Sequence, residues 1–149
     1  MNSFDLNITK VRENATIPTK ATSGSAGYDL HACIDKDITI KKGELIRVLC
    51  GVAIELPSSE YAAFIFARSG LGIKYGISLS NGVGVIDSDY RGEIQLGLCR
   101  TSDGDPYVIK NGDRIAQMII MRVSTVNFKL VENLGESERG SGGFGSTGR

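Results

Sequence analysis

Asp87, Ser88, Asp89 and Tyr90 place two carboxylates, a hydroxyl and a phenol at consecutive positions inside GVGVIDSDYRGEI, residues 82 to 94. A carboxylate raised on the tip of a turn can accept a proton from water while cations elsewhere neutralise a bound anion, so the stretch suits hydrolysis without a histidine. The same residue types also build ordinary turns, where Asp and Ser hydrogen-bond the local backbone, and that reading stands beside the first. A second group, Arg68-Ser69-Gly70-Leu71, sets a guanidinium, a hydroxyl and a glycine ahead of a possible helical turn. It suits a phosphate, and equally a helix cap with a surface ion pair. A third group lies in the terminal GESERGSGGFGSTGR. Its Gly140-x-Gly142-x-x-Gly145 spacing copies a dinucleotide fingerprint and, with Ser146-Thr147, approaches a P-loop. No strand precedes it, no helix pattern follows and the P-loop lysine is missing, so both readings fail. What remains is either a flexible end or a lid, in which Gly and Ser N–H groups close around phosphate oxygens, Arg139 or Arg149 adds charge and Phe144 offers a flat face to a base.

Holding such groups in place falls to β-strands. Val83, Val85 and Ile86 before the acidic stretch, and Ile94, Leu96 and Leu98 after it, follow the strand pattern, which predicts a β-hairpin with Asp87 to Tyr90 at its tip. Ile38 and Ile40, Leu45 to Cys50, Val52 to Leu56 and Tyr61 to Phe66 follow one another through short glycine-bearing turns, a spacing that predicts a sandwich or barrel. Asn111-Gly112, between Tyr107-Val108-Ile109 and Ile115 to Val123, is a strong hairpin signal. The one helical candidate is a short stretch around Leu71 to Tyr75. The expected fold is all-β, a single domain over residues 1–134, followed by a glycine-rich tail over 135–149 too poor in apolar residues to build a core.

Composition narrows the function. The chain has 149 residues, with Lys plus Arg and Asp plus Glu balanced at 17 each, so no net field draws it to nucleic acid or an anionic membrane. An anionic ligand must be held by local groups. Cys33, Cys50 and Cys99 are odd in number, widely spaced and never C-x-x-C, which predicts free thiols rather than a disulfide framework or a zinc site. Residues Met1 to Lys10 lack the pattern of a secretion signal and no apolar run is long enough for a membrane helix, so a soluble, intracellular protein is expected, and the sequons at Asn7 and Asn14 read as chance matches.

Five segments in order resemble the five motifs of the trimeric dUTP pyrophosphatase (dUTPase) family. They are AGYDLHA at 26 to 32, ARSGLGIKYGI at 67 to 77, GVIDSDYRGEI at 84 to 94, GDRIAQMII at 112 to 120 and RGSGGFGSTG at 139 to 148. The resemblance implies a jelly-roll-like distorted β-barrel, a homotrimer with active sites shared between subunits, and Mg²⁺-assisted hydrolysis of dUTP to dUMP and pyrophosphate. It further implies Asp87 as the base that activates water for attack on the α-phosphorus, and Tyr90 against the deoxyribose where a 2′-hydroxyl would clash. Asn81 with the backbone near Gly84 and Ile86 would hydrogen-bond uracil. By the same resemblance Arg68, Ser69, Gly70 and Gln117 hold phosphates, while Arg139, Gly145, Ser146 and Thr147 close over them and Phe144 covers the base. Asp29 would lie near the metal through water, with Mg²⁺ held mainly by the triphosphate and its own waters.

Ala67 stands where the second motif usually has proline, a change that removes no functional group. His31, the sole histidine, reads as structural or surface-exposed, Arg114 as a structural ion pair and Asp89 as a residue that fixes the turn. Two alternatives stand beside this reading. A dCTP deaminase-related enzyme would lack the complete fifth motif, and the zinc deaminase signature H-x-E with P-C-x-x-C is also missing. A non-catalytic regulatory module of the same fold sits poorly with Asp87, Gln117, Arg139 and Phe144 all being present.

Overall fold

Alternating apolar residues organise the chain into short strands, which a computed structural model describes over residues 4–143. In order these are β1 (Asn7–Lys10), β2 (Tyr28–His31), β3 (Ile38–Ile40), β4 (Leu45–Leu49), β5 (Val52–Glu55), β6 (Tyr61–Phe66), the helix α1 (Ser69–Tyr75), β7 (Ile77–Leu79), β8 (Gly84–Ile86), β9 (Gln95–Arg100), β10 (Tyr107–Ile109) and β11 (Arg114–Arg122). They pair antiparallel in four sheets: β2-β11-β6-β8, β4-β9-β7, β1-β5 and β10-β3. The all-β expectation holds and the arrangement is jelly-roll-like, although among the described residues no sheet closes into a barrel. Leu30, Ile40, Val48, Val52, Ile65, Ile77, Ile94, Leu98 and Ile109 are almost wholly buried between the sheets. Each aliphatic side chain of that size contributes roughly 1.5–3 kcal/mol by leaving water.

Two expected hairpins do not form. β8 pairs with β6, setting Ile86 against Ala63 and Gly84 against Ile65, whereas β9 lies between β4 and β7. Residues 87–94 therefore form a crossing between sheets rather than a hairpin tip. Likewise the Asn111-Gly112 turn exists, with Gly112 at φ +84°, but β10 leaves for β3 while β11 joins β2 and β6. Alternation reports which side chains face the core; it does not name the neighbouring strand.

α1 is short because both ends are determined by its sequence. Arg68 enters it in extended backbone without a side-chain cap, Leu71 is its buried residue, and Gly76 ends it in the left-handed region at φ +63°. A β-carbon at Gly76 would lie 2.6 Å from the Ser102 backbone nitrogen, so glycine is needed there twice over. Beneath this helix end lies Arg100, buried and, among the described residues, without a carboxylate partner. Its Nε donates to the Tyr75 carbonyl, Nη1 to the carbonyls of Ile40 and Asp105, and Nη2 to that of Asp103. Beyond β11 the described residues, up to 143, form no helix or strand, and Phe128, Leu130 and Leu134 are almost fully exposed.

Candidate active site

Outside the glycine-rich tail, the expected site residues fall into two depressions. The first, about 390 Å³, is lined by Asn81, Gly84, Val85, Ile86, Asp87 and Tyr90, with walls from Ile65, Leu79, Ile94 and Leu96. Its floor follows from the sheet order: β8 is an edge strand, so its outer row of N–H and C=O groups faces away from β6 without a strand partner. Apolar walls beside an unpaired backbone edge suit a flat ring with donors and acceptors on its rim.

Asp87 lies exposed at the mouth of this cavity and, among the described residues, makes no ion pair and no side-chain hydrogen bond. The loop that carries it is braced from outside. Arg91 Nη1 donates to the carbonyls of Ser88 and Tyr90, at 2.8 and 3.1 Å, while its Nη2 reaches Glu55 on β5 at 3.1 Å. Glu93 Oε1 accepts from Arg12 Nε at 2.7 Å and from the Gly51 N–H at 2.9 Å. The turn closes through the Tyr90 N–H on the Asp87 carbonyl. Asp89, expected to fix this turn, makes no side-chain hydrogen bond among the described residues; Arg91 has that task, because only a long side chain reaches both loop carbonyls and β5.

The second depression, about 260 Å³, is lined by Ser25, Gly27, Asp29, Arg68, Ser69, Gly70 and Gln117. Cross-strand pairing assembles it: β11 runs between β2 and β6, placing Gln117 opposite both Asp29 and Phe66. Gln117 Nε2 donates to the Ala67 carbonyl at 3.1 Å, and a β-carbon on Gly27 would lie 2.9 Å from Gln117 Oε1. The Ala67 contact uses a backbone oxygen, which a proline would also present. Asp29, with a side chain only 13% exposed, stands 3.2 Å from Arg68 Nε and accepts from Arg114 Nη1 at 3.2 Å. Arg68 Nη1 also donates to the Arg114 carbonyl at 2.9 Å, while Nη2 has no protein partner among the described residues. The guanidinium is thus fixed with donors left over, beside the first-turn N–H groups of Ser69 and Gly70, which have no carbonyl within α1 to receive them. This is a place for an anion.

Arg114 is the ion-pair residue expected of it, and its partner is Asp29. His31, cross-strand from Arg114, has its Nδ1 buried without a hydrogen-bond partner, and burial holds its pKa below the ordinary value. The three cysteines are free, and burial raises the Cys50 thiol to about 12. No helix of the described residues is long and apolar enough to cross a membrane.

No residue lines both depressions: Asp87 belongs to the first, and Arg68, Ser69, Gly70 and Gln117 to the second. Arg139 is exposed, donates within its own turn to the Gly142 carbonyl at 2.9 Å, and lines neither depression. Phe144, Gly145, Ser146 and Thr147 lie outside the described residues. Arg91 and Glu93 were missed as positioning residues. Both sit within the third motif, but their partners Glu55 and Arg12 are far off in sequence and give no local signal.

The dUTPase family model matches residues 13–148. A deoxyuridine 5'-triphosphate nucleotidohydrolase of Desulfitobacterium hafniense is 50% identical over 150 residues, covering 99% of each chain. Among solved structures, a mutant dUTPase of Staphylococcus bacteriophage 80alpha with dUpNHpp superposes with a TM-score of 0.82 at 24% identity, covering 99% of this chain and 100% of that one. A mutant dUTPase of phage phi11 of S. aureus, described with a structural Mg(II) ion, gives 0.76 at 23% identity, covering 89% and 100%.

Proposed function

Because this chain belongs to the dUTPase family, we propose that it hydrolyses dUTP to dUMP and pyrophosphate by attack of water on the α-phosphorus. The observation that carries this reading is Asp87: a carboxylate free of ion pairs at the mouth of a cavity whose floor is an unpaired strand edge. The uracil edge bonds Asn81 and the outer backbone of Gly84 and Ile86, with Ile65, Leu79 and Leu96 about the ring. Tyr90 lies against the deoxyribose and fills the space of a 2′-hydroxyl. Asp87 orients the water and takes its proton as the new phosphorus–oxygen bond forms and pyrophosphate departs with the electrons of the broken bond. Arg68, Ser69, Gly70 and Gln117 hold the phosphate oxygens, and the tail from Arg139, with Phe144, Gly145, Ser146 and Thr147, closes over base and phosphates.

The donor set suits Mg²⁺ that arrives on the triphosphate. Among the described residues no three carboxylate, histidine or cysteine side chains converge, and Asp29 is left with lone pairs that can accept from the waters of a hydrated ion while it binds two guanidiniums. When bound, the ion offsets phosphate charge that builds up as the bond breaks.

The reading includes a homotrimer with shared sites. It is supported by the two depressions having no residue in common, and by the exposed segment in which Val126, Phe128 and Leu130 alternate with polar residues at the strand period, a pattern that asks for cover from another copy. In a cell the reaction would keep uracil out of DNA and supply dUMP for dTMP synthesis. Pyrophosphate release measured with dUTP, dCTP, dTTP and UTP side by side tests the proposal: dUTP alone is expected to turn over rapidly, and equal rates with dCTP or UTP would overturn it.

A further inference from the structure

The Tyr90 ring is held in place by its near neighbours in the chain, Gly92 and Glu93. Its hydroxyl donates to the Glu93 carbonyl at 3.0 Å, folding the side chain back across Gly92. A β-carbon on Gly92 would lie 2.4 Å from Tyr90 Oη, 2.5 Å from Cζ and 2.9 Å from Cε2. Gly92 is not among the residues with positive φ, so no left-handed backbone calls for glycine there, and the three atoms nearest to an added β-carbon all belong to the Tyr90 ring and hydroxyl. The carbonyl that receives the hydroxyl is fixed in turn. The Glu93 carboxylate is tied to Arg12 and the Gly51 N–H, and Ile94 exchanges backbone bonds with Val52 and Cys50 at 2.9 and 3.0 Å.

We propose that Gly92 and the anchored Glu93 carbonyl are positioning residues that set the angle of the Tyr90 ring and thereby the enzyme's preference for deoxyribose over ribose. This rests on the function proposed above and on Tyr90 as the sugar filter. A methyl group at position 92 forces the ring off the Glu93 carbonyl and out toward solvent. Since Tyr90 is already 42% exposed and Gly92 has no positive φ, the effect falls on selectivity rather than on folding. Glu93 acts at one remove, through its backbone, and Arg12 through Glu93.

The test is a cycle of Gly92→Ala, Tyr90→Ala and the double variant, read as the ratio of kcat/KM for UTP to that for dUTP. A pocket that merely tolerates or refuses one hydroxyl discriminates by about a hundredfold, so Gly92→Ala is expected to raise the ratio by roughly tenfold or more. In the double variant the added methyl meets no ring, so the ratio should equal that of Tyr90→Ala alone. A ratio unchanged by Gly92→Ala overturns the proposal, as does a Gly92→Ala effect that persists without Tyr90. Parent enzyme idle on dUTP would instead strike the proposed function. A crystal structure of the Gly92→Ala variant decides the positioning claim without reference to any substrate: the ring displaced from the Glu93 carbonyl supports it, and the ring in its parental place refutes it.

Discussion

Asp87 and Asp29 are the same residue in opposite employment. Asp87 stands exposed on a loop between sheets, with no cation touching it among the described residues, and the braces on that loop act through its backbone carbonyls, through Arg91 to Glu55 and through Glu93. Asp29 sits within paired strands, mostly buried, with Arg68 on one oxygen and Arg114 on the other. A carboxylate that must receive a proton is best left without cations, because each nearby positive charge stabilises the ionised form and weakens it as a base. One that must hold guanidiniums at a fixed angle needs them within reach. The contrast separates a cavity fitted to a neutral ring from a depression fitted to charge.

The largest expected effect breaks the Asp87 side. Asp87→Asn keeps the shape but cannot take a proton, and kcat for dUTP should fall by roughly a hundredfold or more with KM little changed; activity within a few-fold of the parent would end the assignment. Next comes the separation of the two depressions. Asp87→Asn and Arg68→Ala chains, each inactive alone, are unfolded and refolded together in equal amounts. If two copies complete each site, roughly a quarter of sites pair a sound Asp87 with a sound Arg68 and activity returns; confirmed mixed trimers without activity would place both depressions in one working site per chain.

A smaller effect is expected on the Asp29 side. Asp29→Asn loosens Arg68 and Arg114 without removing either, so KM should rise by about tenfold with kcat within a few-fold, the loss of one charge-assisted contact. A fall in kcat as steep as that of Asp87→Asn would show the two carboxylates doing the same job. The smallest concerns His31 beside this cluster. Burial lowers its folded pKa below the ordinary 6.5, so its share of stability is present above that pH and is lost as pH falls through the folded value. Denaturant midpoints taken near about pH 7.5 and about pH 5.5 should drop further for the parent than for His31→Gln; equal drops would remove His31 from the account.

What the sequence disclosed and what it withheld divide along the same line. Strands such as Tyr61–Phe66 and the short helix over Ser69–Tyr75 are local patterns of side chain and glycine, and they stand where expected. Asp87 with Tyr90 was legible because both lie in one stretch. Pairing is not local. The alternation around Asp87 and around Asn111-Gly112 was real, yet β8 and β10 chose partners far from their sequence neighbours. For Arg114 the ion-pair role could be read from its setting, but its partner, 85 residues away, could not. Tyr90 over Gly92 is an intermediate case: the residues are adjacent, and only the ring's direction made the glycine meaningful.

Arg100 draws a further line through the molecule, between what acid can and cannot undo. Its positive charge is balanced by the carbonyls of Ile40, Tyr75, Asp103 and Asp105, dipoles that belong to the main chain and do not titrate. Lysine, a point charge with three donors, could not span those acceptors. Glu55, whose pKa the Asn7 hydrogen bond and then Arg91 hold below the usual carboxylate value, loses its charge once pH falls far enough and with it the pair to Arg91, whereas the carbonyls around Arg100 have no proton to accept in that range. Acidified protein should therefore loosen first where Arg91 ties the loop of Asp87 to Glu55, while the joint beneath the helix keeps its shape.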